Sequence, residues 1–97
     1  DNLTLFEQAM SVYVIELQQA YQAYEKAPKQ QAELLSTAHK IKGALASVGL
    51  KRLQQIAALA QNGDAENWQE NIAHWVDILA QEWQLDVNKL RLKLSEM

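Results

Sequence analysis

Apolar side chains recur every three or four residues over most of this chain, the spacing that stacks them on one face of an α-helix. Leu3, Phe6, Met10, Tyr13, Leu17, Tyr21 and Tyr24 form a first series. Leu34, Leu35, Ala38, Ile41, Leu45 and Val48 form a second, and Leu50, Leu53, Ile56, Ala57 and Ala60 a third. The last comprises Trp68, Ile72, Trp75 or Val76, Leu79, Trp83, Val87, Leu90 and Leu94. Lys26-Ala27-Pro28, Ser47-Val48-Gly49 and Asn62-Gly63-Asp64 punctuate them. Thr4 with Glu7 has the form of a capping box near the start, with Asn2 as a competing cap. Pro28 suits the first turn of a helix predicted over about 28–47, where its missing N–H breaks no bond. Gly49 can then turn the chain in a left-handed conformation. Asp64 is predicted to cap the final helix, with Glu66 in its first turn. From Trp68 onward there is neither Gly nor Pro, which predicts one helix of ~40 Å, a break near 81–84 being the alternative. Four amphipathic helices on short links predict an all-α, antiparallel four-helix bundle with a long C-terminal helix, a single domain over 1–97.

Composition narrows the function. The 97 residues are 48% apolar, with three Gly, one Pro and no Cys. So few turn formers argue against strand architectures. The lack of cysteine removes disulfides, thiolate metal sites and cysteine nucleophiles, and fits a reducing compartment. No apolar run approaches the ~18 residues of a membrane span, and no signal peptide opens the chain. The sequence starts at Asp1 and not at Met, so a fragment of a longer protein is expected. A net charge of −3 argues against nucleic-acid binding of the usual basic kind.

Helical stripes leave one segment unexplained, Thr37-Ala38-His39-Lys40-Ile41-Lys42-Gly43-Ala44-Leu45-Ala46-Ser47. His39 projects about 120° from the apolar centre, toward solvent. Its neighbours at three and four residues are Leu35, Ser36, Lys42 and Gly43, with Ala32 and Ala46 a turn further out. Small side chains ring the imidazole where a solvated helix normally carries Glu, Lys and Gln. Glycine inside a helix is about 1 kcal/mol worse than alanine, so Gly43 points either to close helix packing or to an approaching partner surface. From Leu34 to Gly63 there is no Asp or Glu, while Lys40, Lys42, Lys51 and Arg52 all fall there. Such a patch is by itself a solvated face; beside an exposed histidine and an open glycine it suggests an anion site. A neutral imidazole has a nucleophilic ring nitrogen. If it attacked a phosphoryl donor, Lys42 one turn along would meet the incoming charge. Lys40 points elsewhere on the helix, toward a docking surface. Without a Gly-rich phosphate loop or a carboxylate pair for Mg²⁺, this chain has no ATP site of its own.

The run His39-Lys40-Ile41-Lys42-Gly43-Ala44-Leu45-Ala46-Ser47-Val48-Gly49-Leu50 resembles the His-x-x-Lys-Gly signature of histidine-containing phosphotransfer domains. Within that family it is most similar to the C-terminal domain of Arc-type hybrid sensor kinases. Leu53-Gln54-Gln55 and the tryptophans 68, 75 and 83 extend the likeness over nearly the whole chain. The resemblance implies that His39 accepts a phosphoryl group from a receiver-domain aspartyl phosphate and passes it to a response regulator. It implies that Lys42 supports the phosphorylated ring, that Gly43 keeps the approach open, and that Gln61 hydrogen-bonds the imidazole. Ser36, Lys40, Ala46, Lys51 and Arg52 are the expected docking residues. Leu45-Ala46 stands where the Arc type has an Ala-Gly pair, with Leu45 read as core. Mg²⁺ is expected in the partner receiver, with no cofactor of the domain's own. The isolated domain is expected to be a monomeric carrier without nucleic-acid or direct membrane contact. Its parent is expected to be a hybrid sensor kinase tethered to the inner membrane, with this domain in the cytoplasm.

Other candidates read as ordinary. His74 lies opposite the apolar stripe as an exposed histidine, and two histidines without cysteine give no dedicated metal site. The tryptophans and tyrosines read as core or core edge. Ile78 and Leu85 lie off the main stripe and suit either the chain termini or a contact with a larger protein. The competing function is a non-catalytic helical module that binds an acidic partner through its basic patch.

Overall fold

The computed structural model describes residues 2–96 and contains α1 (Asn2–Lys26), α2 (Gln31–Ser47), α3 (Lys51–Gln61) and α4 (Trp68–Ser95). No strand occurs among the described residues. Each helix packs on its chain neighbours, and α4 closes the ring against α1. Side-chain pairs fix the antiparallel sense. Tyr24 meets Trp68 edge-on at one end of the α1–α4 pair, and Phe6 meets Trp83 at the other. Arg91 of α4 pairs with Glu7 of α1. Arg52 at the start of α3 reaches Glu82 and Asp86 of α4, while the end of α3 meets Trp68 at the start of α4. The fold is the expected antiparallel four-helix bundle, and α4 runs unbroken for 28 residues, about 42 Å at 1.5 Å per residue. No described helix is long and apolar enough to cross a membrane.

The buried interior includes Phe6, Met10, Leu17, Leu34, Ile41, Leu45, Leu53, Ile72, Leu79 and the three tryptophans. Burial of this much aliphatic and aromatic area is the main stabilising term, at roughly 25 cal/mol per Å² of apolar surface removed from water. In α1 the inward stripe continues through Val14 and Ala20, where the sequence reading took Tyr13, Tyr21 and Tyr24. Those rings are half-buried against the core edge, which leaves each phenolic oxygen within reach of water. The Tyr21 hydroxyl is nonetheless harder to ionise than usual, through burial first and the neighbouring Glu25 second.

The links also differ in detail from expectation. Pro28–Gln30 form a 3₁₀ turn that precedes α2, so the proline opens a turn and not the α-helix proper. α1 is already helical at Asn2, so Thr4 lies inside it and not at a cap. Asp64 does not cap α4. The chain spends residues 63–67 in turns, with Ala65 N–H donating to the Asn62 carbonyl and Trp68 N–H to that of Ala65. The helix starts only at Trp68, whose indole Nε1 donates to the Ala60 carbonyl at 2.7 Å. That buried bond ties the end of α3 to the start of α4. Gly49, by contrast, takes φ +76° as the turn between α2 and α3 requires.

Candidate functional site

On α2, the core positions Leu34, Ala38, Ile41 and Leu45 are completely buried. Their direction fixes that of His39, which stands exposed on the outer side of the helix. The ring leans toward α3, where its Nδ1 lies 2.9 Å from Oε1 of Gln61, in the last turn of that helix. With Gln61 Oε1 accepting from Nδ1–H, a neutral ring keeps its free lone pair on Nε2. Gln61 is held there by its own surroundings. The following turn rests directly on α2, since a Cβ on Gly63 would lie 2.7 Å from Nε2 of Gln31 and 2.9 Å from a Leu35 methyl. Gln31 Nε2 also donates a long bond to the Gly63 carbonyl at 3.4 Å.

Gly43 resolves one of the two readings left open by the sequence. A Cβ there would meet nothing within 4 Å, so close packing of helices inside this chain does not require the glycine. Ser36 and Ala46 are exposed on the same outer face, and Lys42 is half-exposed. Leu45 is fully buried. Its larger side chain therefore fills core and leaves the outer face unaltered.

The four cations of α2 and α3 do not form one patch. Lys40 turns toward α1, where Nζ lies 3.3 Å from Glu16 and 5.8 Å from the centre of the Tyr13 ring. Arg52 turns toward α4, with Asp86 at 3.1 Å and Glu82 at 3.0 Å. Its guanidinium holds its proton above the usual arginine range, chiefly through the Asp86 hydrogen bond. Lys42 and Lys51 remain, with no ion-pair partner among the described residues, and both line a hollow between α2 and α3 with Gln54, Gln55 and Ala58. The sequence reading used Gln54 and Gln55 only for the family likeness and passed over Ala58, although the spacing 51, 54, 55 and 58 is a one-face helical series. It also missed Glu16, Glu82 and Asp86, which lie far along the chain from their partners.

His74 is exposed on α4. No group of three or more His, Cys, Asp or Glu that could hold a metal occurs among the described residues. The tryptophans are buried, Ile78 packs against the core, and Leu85 is exposed.

Comparison with known proteins agrees with this geometry. The Hpt domain family matches residues 1–91. The aerobic respiration control sensor protein ArcB of Escherichia coli K12 is 36% identical over 91 residues, 94% of this chain, and ArcB of Shigella flexneri matches equally. The chain spans 11% of the length of these sensor proteins. The solved histidine-containing phosphotransfer domain of ArcB from Escherichia coli superposes with a TM-score of 0.90 at 33% identity, covering 99% of this chain and 77% of that one. A helical bundle that presents one histidine beside a lysine and an open glycine, matched over this extent, belongs to the Hpt domain family, the phosphorelay intermediates that exchange phosphoryl groups with receiver domains in two-component signalling.

Proposed function

We propose that His39 is the phosphoacceptor of this domain and that Nε2 is the nitrogen that carries the group. The observation that supports this most directly is the exposed ring with Nδ1 tied to Gln61 at 2.9 Å. With Nδ1 protonated, Nε2 attacks the phosphorus of a receiver aspartyl phosphate. A P–N bond forms as the P–O bond to the aspartyl carboxylate breaks, and the carboxylate leaves with the electron pair. The ring becomes cationic, and Gln61 Oε1 stabilises it by accepting from Nδ1–H. Lys42, one helical turn away, offsets the charge of the arriving phosphoryl oxygens. Gly43 leaves room for the receiver backbone. Ser36 and Ala46 belong to the docking face, with Lys51 at its α3 edge. Lys40 and Arg52 flank that face while held by their own carboxylates.

The receiver brings the Mg²⁺ that such a transfer uses, and the domain is a carrier and not an ATP-dependent kinase. In this reading it acts on cytoplasmic receivers, both within its parent and on a separate regulator. The parent is a hybrid sensor kinase of the ArcB type tethered to the inner membrane. The relay is tested by phosphorylating the domain, separating it from its donor, and adding a second receiver. The label is expected to move to that receiver's aspartate. A label that stays on the domain with every receiver offered would contradict an intermediate role.

A further inference from the structure

Among the described residues, two cations of α2 and α3, Lys42 and Lys51, have no carboxylate partner, and both line the same hollow. Lys40 is engaged by Glu16 and Arg52 by Glu82 and Asp86. Lys42 and Lys51 both line one depression, together with Gln54, Gln55 and Ala58. Each lining group except Ala58 can donate a hydrogen bond, and no lining residue is acidic. Lys51 and Gln55 are exposed, while Lys42 and Gln54 are half-exposed. The hollow is therefore open to a partner and shares one residue, Lys42, with the surroundings of His39.

From this arrangement we infer that the hollow is a socket for a single carboxylate side chain of the docked receiver, and that this contact sets the receiver's register over His39. The inference rests on the carrier reading above and adds to it a specific recognition point. Two ammonium groups and two amides match the charge and acceptor capacity of one Asp or Glu. A polyanion would need a longer basic surface than two free lysines, on a chain whose net charge is −3. The transferring phosphoryl group is delivered to the His39 ring, so the hollow is left for a partner side chain. Lys42 can serve both groups in turn because it stands between them on α2.

The test uses the full chain and an aspartyl-phosphorylated receiver domain chosen because it labels the parent protein. The half-saturating receiver concentration for labelling is measured from 50 to 300 mM NaCl, approximate limits that span strong and weak screening of surface charge. Lys51→Glu and Gln55→Glu are expected to raise it by about three- to tenfold at low salt and to flatten its salt dependence. Lys29→Glu makes the same charge change outside the hollow and is expected to behave as the parent. Reversing single receiver carboxylates to lysine should then restore labelling of Lys51→Glu at one position. Lys51→Glu and Gln55→Glu titrations that superpose on the parent, or a Lys29→Glu effect of equal size, would overturn the socket and leave the carrier reading intact. A parent chain that no receiver labels would overturn both.

Discussion

At the scale of single residues, an exposed histidine on a helix is common, and His39 is set apart by what lies around it. Gly43 is the most informative neighbour, because the helix is weakened there without any internal packing gain. Gly43→Ala is accordingly expected to raise stability by about 0.5–1 kcal/mol in urea unfolding. Gly43→Gln should fold as well but label more slowly from a phosphorylated receiver. A Gly43→Gln variant with unimpaired labelling would remove the open-approach role. For Lys42→Ala the expected outcome is slower transfer or a shorter-lived phosphohistidine at near-unchanged stability, read by stopped time courses of label. Residue types alone made His39, Lys42 and Gly43 legible as a constellation, since their spacing is local to one helix. The pairing of Lys40 with Glu16 and of Arg52 with Asp86 was not legible, because it depends on which helix comes to lie alongside. Exposed pairs of this kind contribute little to stability, about 0–1 kcal/mol each. Their consequence is electrostatic: they leave Lys42 and Lys51 as the α2 and α3 cations without an ion-pair partner among the described residues, with Lys42 one helical turn from the ring.

At the scale of elements, the site is a product of the α2–α3 hairpin. Gly49 at φ +76° reverses the chain, and the two helices then run back side by side until Gln61 stands opposite His39. Gly49→Ala should destabilise by about 1–2 kcal/mol, measured as a lowered urea midpoint, since L-residues with a Cβ resist that conformation. The far end of the hairpin is fastened through Trp68. Trp68→Phe removes the Nε1 bond to the Ala60 carbonyl and leaves a buried acceptor unpaired, at an expected cost of about 1–3 kcal/mol. Helix number, order and approximate ends followed from periodicity because the apolar stripes are long. The start of α4 did not, since Asp64 has cap chemistry yet loses to a turn anchored by a tertiary indole bond. In α1 the stripe of Leu3, Phe6, Met10 and Leu17 is buried as read, and Tyr13, Tyr21 and Tyr24 pack at the core edge. Val14 and Ala20 complete the inward stripe, and the bulkier tyrosines keep their hydroxyls at the wet edge.

At the scale of the whole molecule, the bundle holds the His39 ring on its outer surface. The four helices close on one another, the core is continuous from Phe6 to Trp68, and the face of α2 opposite that core carries the histidine. The domain's family membership and its 0.90 superposition on the ArcB domain locate the fold. The chemistry rests on His39, and the most direct measurement compares the parent chain with His39→Gln after incubation with an aspartyl-phosphorylated receiver. The parent should acquire an acid-labile label, and the variant, equally folded by circular dichroism, should acquire none. Equal labelling of the two proteins would contradict the account.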